Sequence, residues 1–227
     1  MKKNIRTYDE QLEMQINNTL KMLLDKDYLY LYNPLRKEKI DNNTIRLSWN
    51  NHQSGGFNLG DSFLYISQYK EILKNGSYLC ILFDGSLIRV SYTIKNNILI
   101  SHNLLWWPAP YKYKNVTLKD VSPFQIIDDF LEDNEWYKNI EMRSPIRFDY
   151  DPREITVKDD HPPVHMHIEH KDCRIFVEKP LCFNSFISYI FKNFYPQCHI
   201  YINNDDYIDF KVTNNYKPLP HLTKIIC

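Results

Sequence analysis

Ten residues, HPPVHMHIEH at 161 to 170, hold four of the chain's eight histidines: His161, His165, His167 and His170. An imidazole titrates near neutral pH and ligates metals in its neutral form, so such a cluster points to proton transfer or to metal binding. Side chains alternate across a strand. In VHMHIEH the apolar Val164, Met166 and Ile168 take one face, while His165 and His167 share the other. Upstream, IRFDYDP sets Arg147 and Asp149 opposite Ile146, Phe148 and Tyr150, and CRIFVE sets Arg174 opposite Cys173 and Ile175. If these three strands are neighbours, Arg147, Asp149, His165, His167 and Arg174 converge on one side of a sheet.

That set has the parts for cleaving a phosphodiester without a metal. One histidine accepts a proton from a ribose 2′-hydroxyl, the second donates one to the leaving oxygen, and an arginine balances charge on the phosphorane. Asp149 then fixes a histidine tautomer. A metal site competes, with His161, His165 and His167 as ligands of a divalent ion and Asp149, His170 or Cys173 completing it. A structural strand competes with both, its histidines at the surface and Asp149 bridged to an arginine. No four-ligand spacing is evident, and the arginines repel a cation while attracting a phosphate. The metal-free site is therefore preferred, with no cofactor, and a divalent metal is the alternative.

Other stretches carry less. GGFNLG lacks the Lys-Ser/Thr ending of a phosphate-cradling loop. LLWWPAPYKYK mixes aromatics with Lys112 and Lys114, a pattern that stacks on single-stranded nucleic acid or, more often, packs at a strand end. Cys173 beside Arg174 reads as a small buried thiol.

The elements that must position these residues are legible in part. Leu12, Ile16, Leu20 and Leu23 recur at helical spacing, which predicts an N-terminal amphipathic helix docked on the body or on a partner. TIRLSWN at 44 to 50 alternates as a strand. Asp61 or Ser62 caps a helix over FLYISQYKEILK, and Asn75-Gly76 ends it. SYLCILF, Asp84-Gly85, SLIRVSYTI, Asn96-Asn97 and ILISHNLLWW predict a three-stranded antiparallel meander with tight turns. SPFQ at 122 to 125 is a capping box that opens another helix. CFNSFISYIFKNFY is a core helix stopped by Pro196, and HIYI, NNDD and YIDFKV read as a C-terminal hairpin. The fold class is α+β: a meander and hairpins with packed helices, in a single compact domain with an N-terminal helix. Residues 1–50 carry that helix and the first strand and residues 51–227 the main body, with no firm boundary between them.

Composition narrows the function classes. At 227 residues, 43% hydrophobic and 15% aromatic, the chain builds a sizeable core. Lys plus Arg and Asp plus Glu both total 28, so any polyanion must meet a local patch rather than a global field. No apolar run has signal-peptide or membrane-spanning length, and the five cysteines lack CxxC spacing, which predicts a cytoplasmic protein with reduced thiols and no membrane partner.

The order YKEIL, YLCILFDGSLIRVSYTI, ISHNLLWWPAP, RFDYDP and HPPVHMHIEHKDCRIFVEKPLCFNSFISYIFKNFY resembles the bacterial family called domain of unknown function 2290, over roughly residues 60 to 200. That family name implies one domain and no particular chemistry. Arg-aromatic-Asp followed by a proline-flanked His and His-x-His is similar to small toxins of the TumE type, which pair with an antitoxin and are suspected of acting on RNA. The likeness implies roles for Arg147, Asp149, His161, His165 and His167. The expectation is a nuclease-like effector of a toxin-antitoxin or phage-defence system, with an antitoxin or defence subunit as partner. The alternative is a non-catalytic adaptor that binds protein through the N-terminal helix and the aromatic stretch.

Overall fold

Thr7 leads into α1 (Tyr8–Asp25), its backbone N–H held by the Glu10 carboxylate at 3.0 Å in the manner of a capping box. Leu12, Ile16, Leu20 and Leu23 are all buried on the face that the sequence spacing predicts, and they are covered by this same chain. The computed structural model describes residues 6–50, 52, 65–111, 122–132, 141, 143–152, 162–169, 173–211 and 224–225.

After α1 come β1 (Leu29–Tyr32), β2 (Arg36–Lys39) and β3 (Thr44–Ser48). The sequence reading finds only β3. β2 reads RKEK and lacks apolar alternation because, among the described residues, it pairs with β3 alone, at an edge where charge discourages further pairing. The expected meander is present as β4 (Cys80–Leu82), β5 (Leu87–Lys95) and β6 (Ile98–Trp107). Asn96 and Asn97, at φ 51° and 58°, make the two-residue turn between β5 and β6. The Asp84-Gly85 turn is looser than expected. Only Gly85 takes a positive φ, 86°, while the Asp84 carboxylate accepts the Ser86 N–H at 2.9 Å.

β7 (Ile146–Tyr150), β8 (Val164–Ile168), β9 (Ile175–Val177) and β10 (Lys224–Ile225) extend the same sheet. Its order is β1-β4-β5-β6-β7-β8-β9-β10, antiparallel throughout except for the parallel β9–β10 pair, and β3 joins β5 on the edge it shares with β4. The class is α+β.

Alternate residues of the strands sort into two environments. One face carries Leu47, Ile88, Val90, Leu104, Trp106, Phe148 and Met166 into the main core, closed by α1 and by α4 (Phe183–Phe194). From α4, Phe183, Phe186, Ile187, Ile190 and Phe191 are fully buried there, each stabilising the fold by roughly 1.5–3 kcal/mol on burial. The other face is shared. At one end Ile81, Leu87, Leu105 and Trp107 pack against α2 (Ile66–Lys74) and α3 (Pro123–Glu132). The rest of that face is polar.

Two expectations are corrected. The C-terminal hairpin is absent: residues 198–203 and 207–211 form no ladder, and a single 3-10 turn, Asn204–Asp206, lies between them. This segment crosses α1 and α4, where Gln15 and Asn184 side chains both donate to the Asp206 carbonyl, so side chains replace the ladder partner. α2 begins at Ile66 rather than at Phe63, with the Gln68 side chain accepting the Tyr65 N–H at 3.1 Å; Asp61 and Ser62 lie outside the described residues. Trp106, Trp107 and Tyr111 are buried, as expected of packing at a strand end. Lys112, Lys114 and the GGFNLG loop lie outside the described residues. The Ser122 cap is as expected, its hydroxyl accepting the Gln125 N–H at 3.2 Å.

Candidate functional site: an aspartate and two histidines on the polar sheet face

The site is built by the pairing of β7 with β8. Ile146, Phe148 and Tyr150 need the core, which turns Arg147 and Asp149 to the other face, and Met166 does the same for His165 and His167. The antiparallel register then sets Asp149 opposite His165 and Arg147 opposite His167. Four of the five side chains expected to converge thus meet. Arg174 stands one position before β9; the register of His165 with Phe176 and Met166 with Ile175 continues to place it opposite His167. It touches neither imidazole nor Asp149 through any hydrogen bond or ion pair among the described residues, and its Nε is buried without a partner. His161 and His170 lie outside the described residues, and Cys173 is a half-buried free thiol.

The His165 and His167 Nε2 atoms face each other at 2.9 Å. His167 Nε2 lies 3.3 Å, and His165 Nε2 4.0 Å, from Asp149 Oδ2. Arg147 Nε donates to the same oxygen at 2.7 Å, and Asn103 Nδ2 donates to Oδ1 at 2.7 Å. Asn103 is a residue the sequence reading passes over. It sits opposite Asp149 on β6, and an amide at an otherwise apolar alternation in HNLLWW is the signal that marks it.

Acceptor-only groups assign the tautomers. His165 Nδ1 lies 2.7 Å from the Pro162 carbonyl, which can only accept, so this nitrogen carries a proton. A neutral His165 therefore presents a lone pair at Nε2, and the short contact between the rings requires His167 to donate its own Nε2–H. That leaves a lone pair on His167 Nδ1, which is buried and has no partner. Burial alone would raise the Asp149 carboxyl, but the His167 hydrogen bond and the Arg147 guanidinium, joined by each imidazole once it is protonated, outweigh it and hold the group down to about 2. Asp149 is thus a fixed anion beside an imidazole pair that shares a proton. The His165 and His167 side chains are 4% and 3% exposed, against 13% for Arg147 and 17% for Asp149.

A metal can be tested against the same geometry. Asp149, His165 and His167 each offer one ligand atom, and all three atoms lie within 4.8 Å of one another, a group able to hold a divalent ion. The Pro162 carbonyl orients His165 as second-sphere partners of ligating histidines do. Against this, both carboxylate oxygens are already engaged, Oδ2 by a cationic guanidinium and Oδ1 by the Asn103 amide.

One other imidazole on the sheet is occupied differently. His102 accepts the Leu181 N–H at 3.1 Å, and burial, opposed by Asp149, pushes it down to about 4. It stays neutral and holds the start of α4 to β6.

A sheet of this topology with a buried Asp-His-His group defines a single α+β body with one polar face. The chain matches the family described as an uncharacterized conserved protein, DUF2290, over residues 23–223, and it belongs to that family. No curated protein and no solved structure matches it. The family match takes in β1, β2 and β3, which lie before the stretch where the sequence resemblance is quoted.

Proposed function

We propose that this protein is a nuclease-like enzyme that cleaves RNA without a metal, using His167 as proton carrier and Asp149 to orient it. The observation that carries the reading is the His167 ring, whose Nε2 donates to His165 while lying 3.3 Å from an anionic carboxylate, and whose Nδ1 is bare. An aspartate in this position stabilises the imidazolium that forms when the ring takes up a proton. His167 Nδ1 removes the proton of a ribose 2′-hydroxyl, the oxygen attacks phosphorus, and the same nitrogen returns the proton to the leaving 5′-oxygen. Arg147 and Arg174 offset charge on the phosphorane. His165, engaged at both ring nitrogens, acts as a positioning residue that receives the His167 Nε2–H. The sequence-level scheme of one acid and one base is thereby recast as a single carrier with a supporting ring.

Service in a toxin-antitoxin or phage-defence system, with an antitoxin or defence subunit as partner, belongs to the same proposal and is supported only by the short likeness around Arg147 and the His-x-His. The adaptor reading has less to stand on, because the apolar face of α1 and the tryptophans it invokes are covered by this chain. No helix among the described residues is long and apolar enough to cross a membrane. A metal-dependent hydrolase at the same site is favoured by the ligand geometry and is the second reading.

The test compares substrates. Purified protein cuts single-stranded RNA to products ending in 2′,3′-cyclic phosphate and leaves DNA of the same sequence intact, because only RNA carries the nucleophile. Equal cleavage of both would refute the 2′-hydroxyl route.

A further inference from the structure

Arg89 stands inside the apolar run SLIRVSY on β5 and is only 4% exposed. Its guanidinium lies over the Trp49 ring, with Cζ 4.1 Å from the centroid, which leaves the N–H edge rather than the face free to bond. Nε and Nη1 are buried and have no hydrogen-bond partner. Burial and the nearby Arg147 lower its pKa to about 10, so it remains charged at neutral pH. Neither carboxylate of the same face bonds it: Asp149 is paired with Arg147 at 2.7 Å, and Glu38 lies 3.9 Å from Arg46 with its Oε2 unpartnered. Burial, then the charges of Arg46 and Arg89, push His52 at this end down to about 4 against the opposing Glu38. A buried guanidinium without a counter-charge is strongly disfavoured, and an anionic ligand removes that cost.

The register shows where such a ligand lies. Arg89 is opposite Leu105, Leu105 opposite Arg147, and Arg147 opposite His167, with Arg174 next in line beyond it. Arg89 and Arg174 are thus four strand spacings apart, about 19 Å, on one face and either side of the Asp149–His167 pair. Both have an unpartnered buried Nε. Guanidiniums set at intervals along a row suit an extended chain of charges better than one compact anion, and each planar fork matches a phosphate bidentately.

We propose that Arg89 is a phosphate-binding subsite, so that a single-stranded phosphodiester lies across the strands from Arg89 past Arg147 to Arg174. The identity of the ligand rests on the proposed function, whereas phosphate binding at Arg89 does not.

The full-length protein is titrated at low salt with inorganic phosphate and with a short oligouridylate, reading tryptophan emission for the first and anisotropy for the second. Phosphate changes the emission of the wild type and not of Trp49→Phe, because Arg89 rests on that ring. Arg89→Gln weakens both ligands by about 10-fold or more, and Arg89→Lys falls between, keeping charge without the fork. Should Arg89→Gln lose its fold by circular dichroism, the wild-type titration and Arg89→Lys carry the test. Wild type that binds neither ligand, or binding unchanged in the Arg89 variants, overturns the subsite. Arg89-dependent RNA binding with no cleavage keeps the subsite and removes the catalytic reading.

Discussion

Two carboxylates on this sheet each hold an arginine, and their surroundings separate them. Asp84 lies in the turn between β4 and β5. Its Oδ2 accepts Ser86 Oγ–H and Tyr195 O–H at 2.9 Å each and Arg143 Nη1 at 3.2 Å, while Trp106 Nε1 donates to Tyr195 at 3.2 Å. Burial, then the charge of Asp84, pushes the Tyr195 phenol far above its ordinary range, so the phenol keeps its proton at neutral pH. This cluster ties the meander to α4, and Arg143 Nε, buried without a hydrogen bond, lies 3.3 Å from the Glu141 carboxylate. Asp149 instead faces two imidazoles, one with a bare nitrogen, and its row carries two guanidiniums with unpartnered atoms. Groups left unsatisfied in a buried setting cost stability, and a ligand that meets them removes that cost.

That contrast can be broken most decisively at His167. His167→Ala lowers RNA cleavage by roughly 10²–10⁴-fold, the range that a positioned acid–base group supplies, while the protein stays folded. Asp84→Ala does the opposite. It removes the acceptor of the buried Ser86 and Tyr195 hydroxyls, while Arg143 keeps Glu141 and the Ala109 carbonyl, and it costs roughly 1–3 kcal/mol of stability in denaturant titration, with the chemistry intact in whatever remains folded.

Acid titration sharpens the comparison further. The folded Asp149 carboxyl sits at about 2 against an ordinary 3.8. A lowered pKa means that the contribution is fully present above 3.8 and is lost as pH falls toward about 2. It amounts to roughly 2 kcal/mol, and Asp149→Asn flattens this limb of the stability curve measured by circular dichroism. Smallest is Tyr195→Phe, which removes one hydroxyl from the Asp84 cluster and costs about 1 kcal/mol with cleavage unchanged. A loss of cleavage with normal stability in Tyr195→Phe would erase the distinction between the two clusters.

The sequence makes the Asp149 site legible because β7 and β8 each meet the core on one side only, so that IRFDY and VHMHI keep a strict alternation and betray which side chains stand together. The same logic misses β2, whose RKEK carries no apolar side to read. It overreads HIYI and YIDFKV, whose alternating apolar residues serve an extended segment laid over α1 and α4. Arg89 and Asn103 escape notice for another reason. Their strands are buried on both faces, and a lone polar residue in such a run reads as an exception until the register aligns it with Asp149 and Arg147. The tautomers depend on the Pro162 carbonyl three residues from His165, a contact that no spacing rule contains.

The central claim is that His167 carries a proton with no metal in the step. The most direct measurement is the cleavage rate of a short RNA by wild type and by His167→Ala, each with and without a strong chelator, on protein whose zinc and manganese content is known. The account predicts wild-type cleavage indifferent to chelator, and a loss of at least about 100-fold in the variant under both conditions. A wild-type rate abolished by chelator and restored by Zn²⁺ or Mn²⁺, or a variant that cuts as fast as wild type, would contradict it.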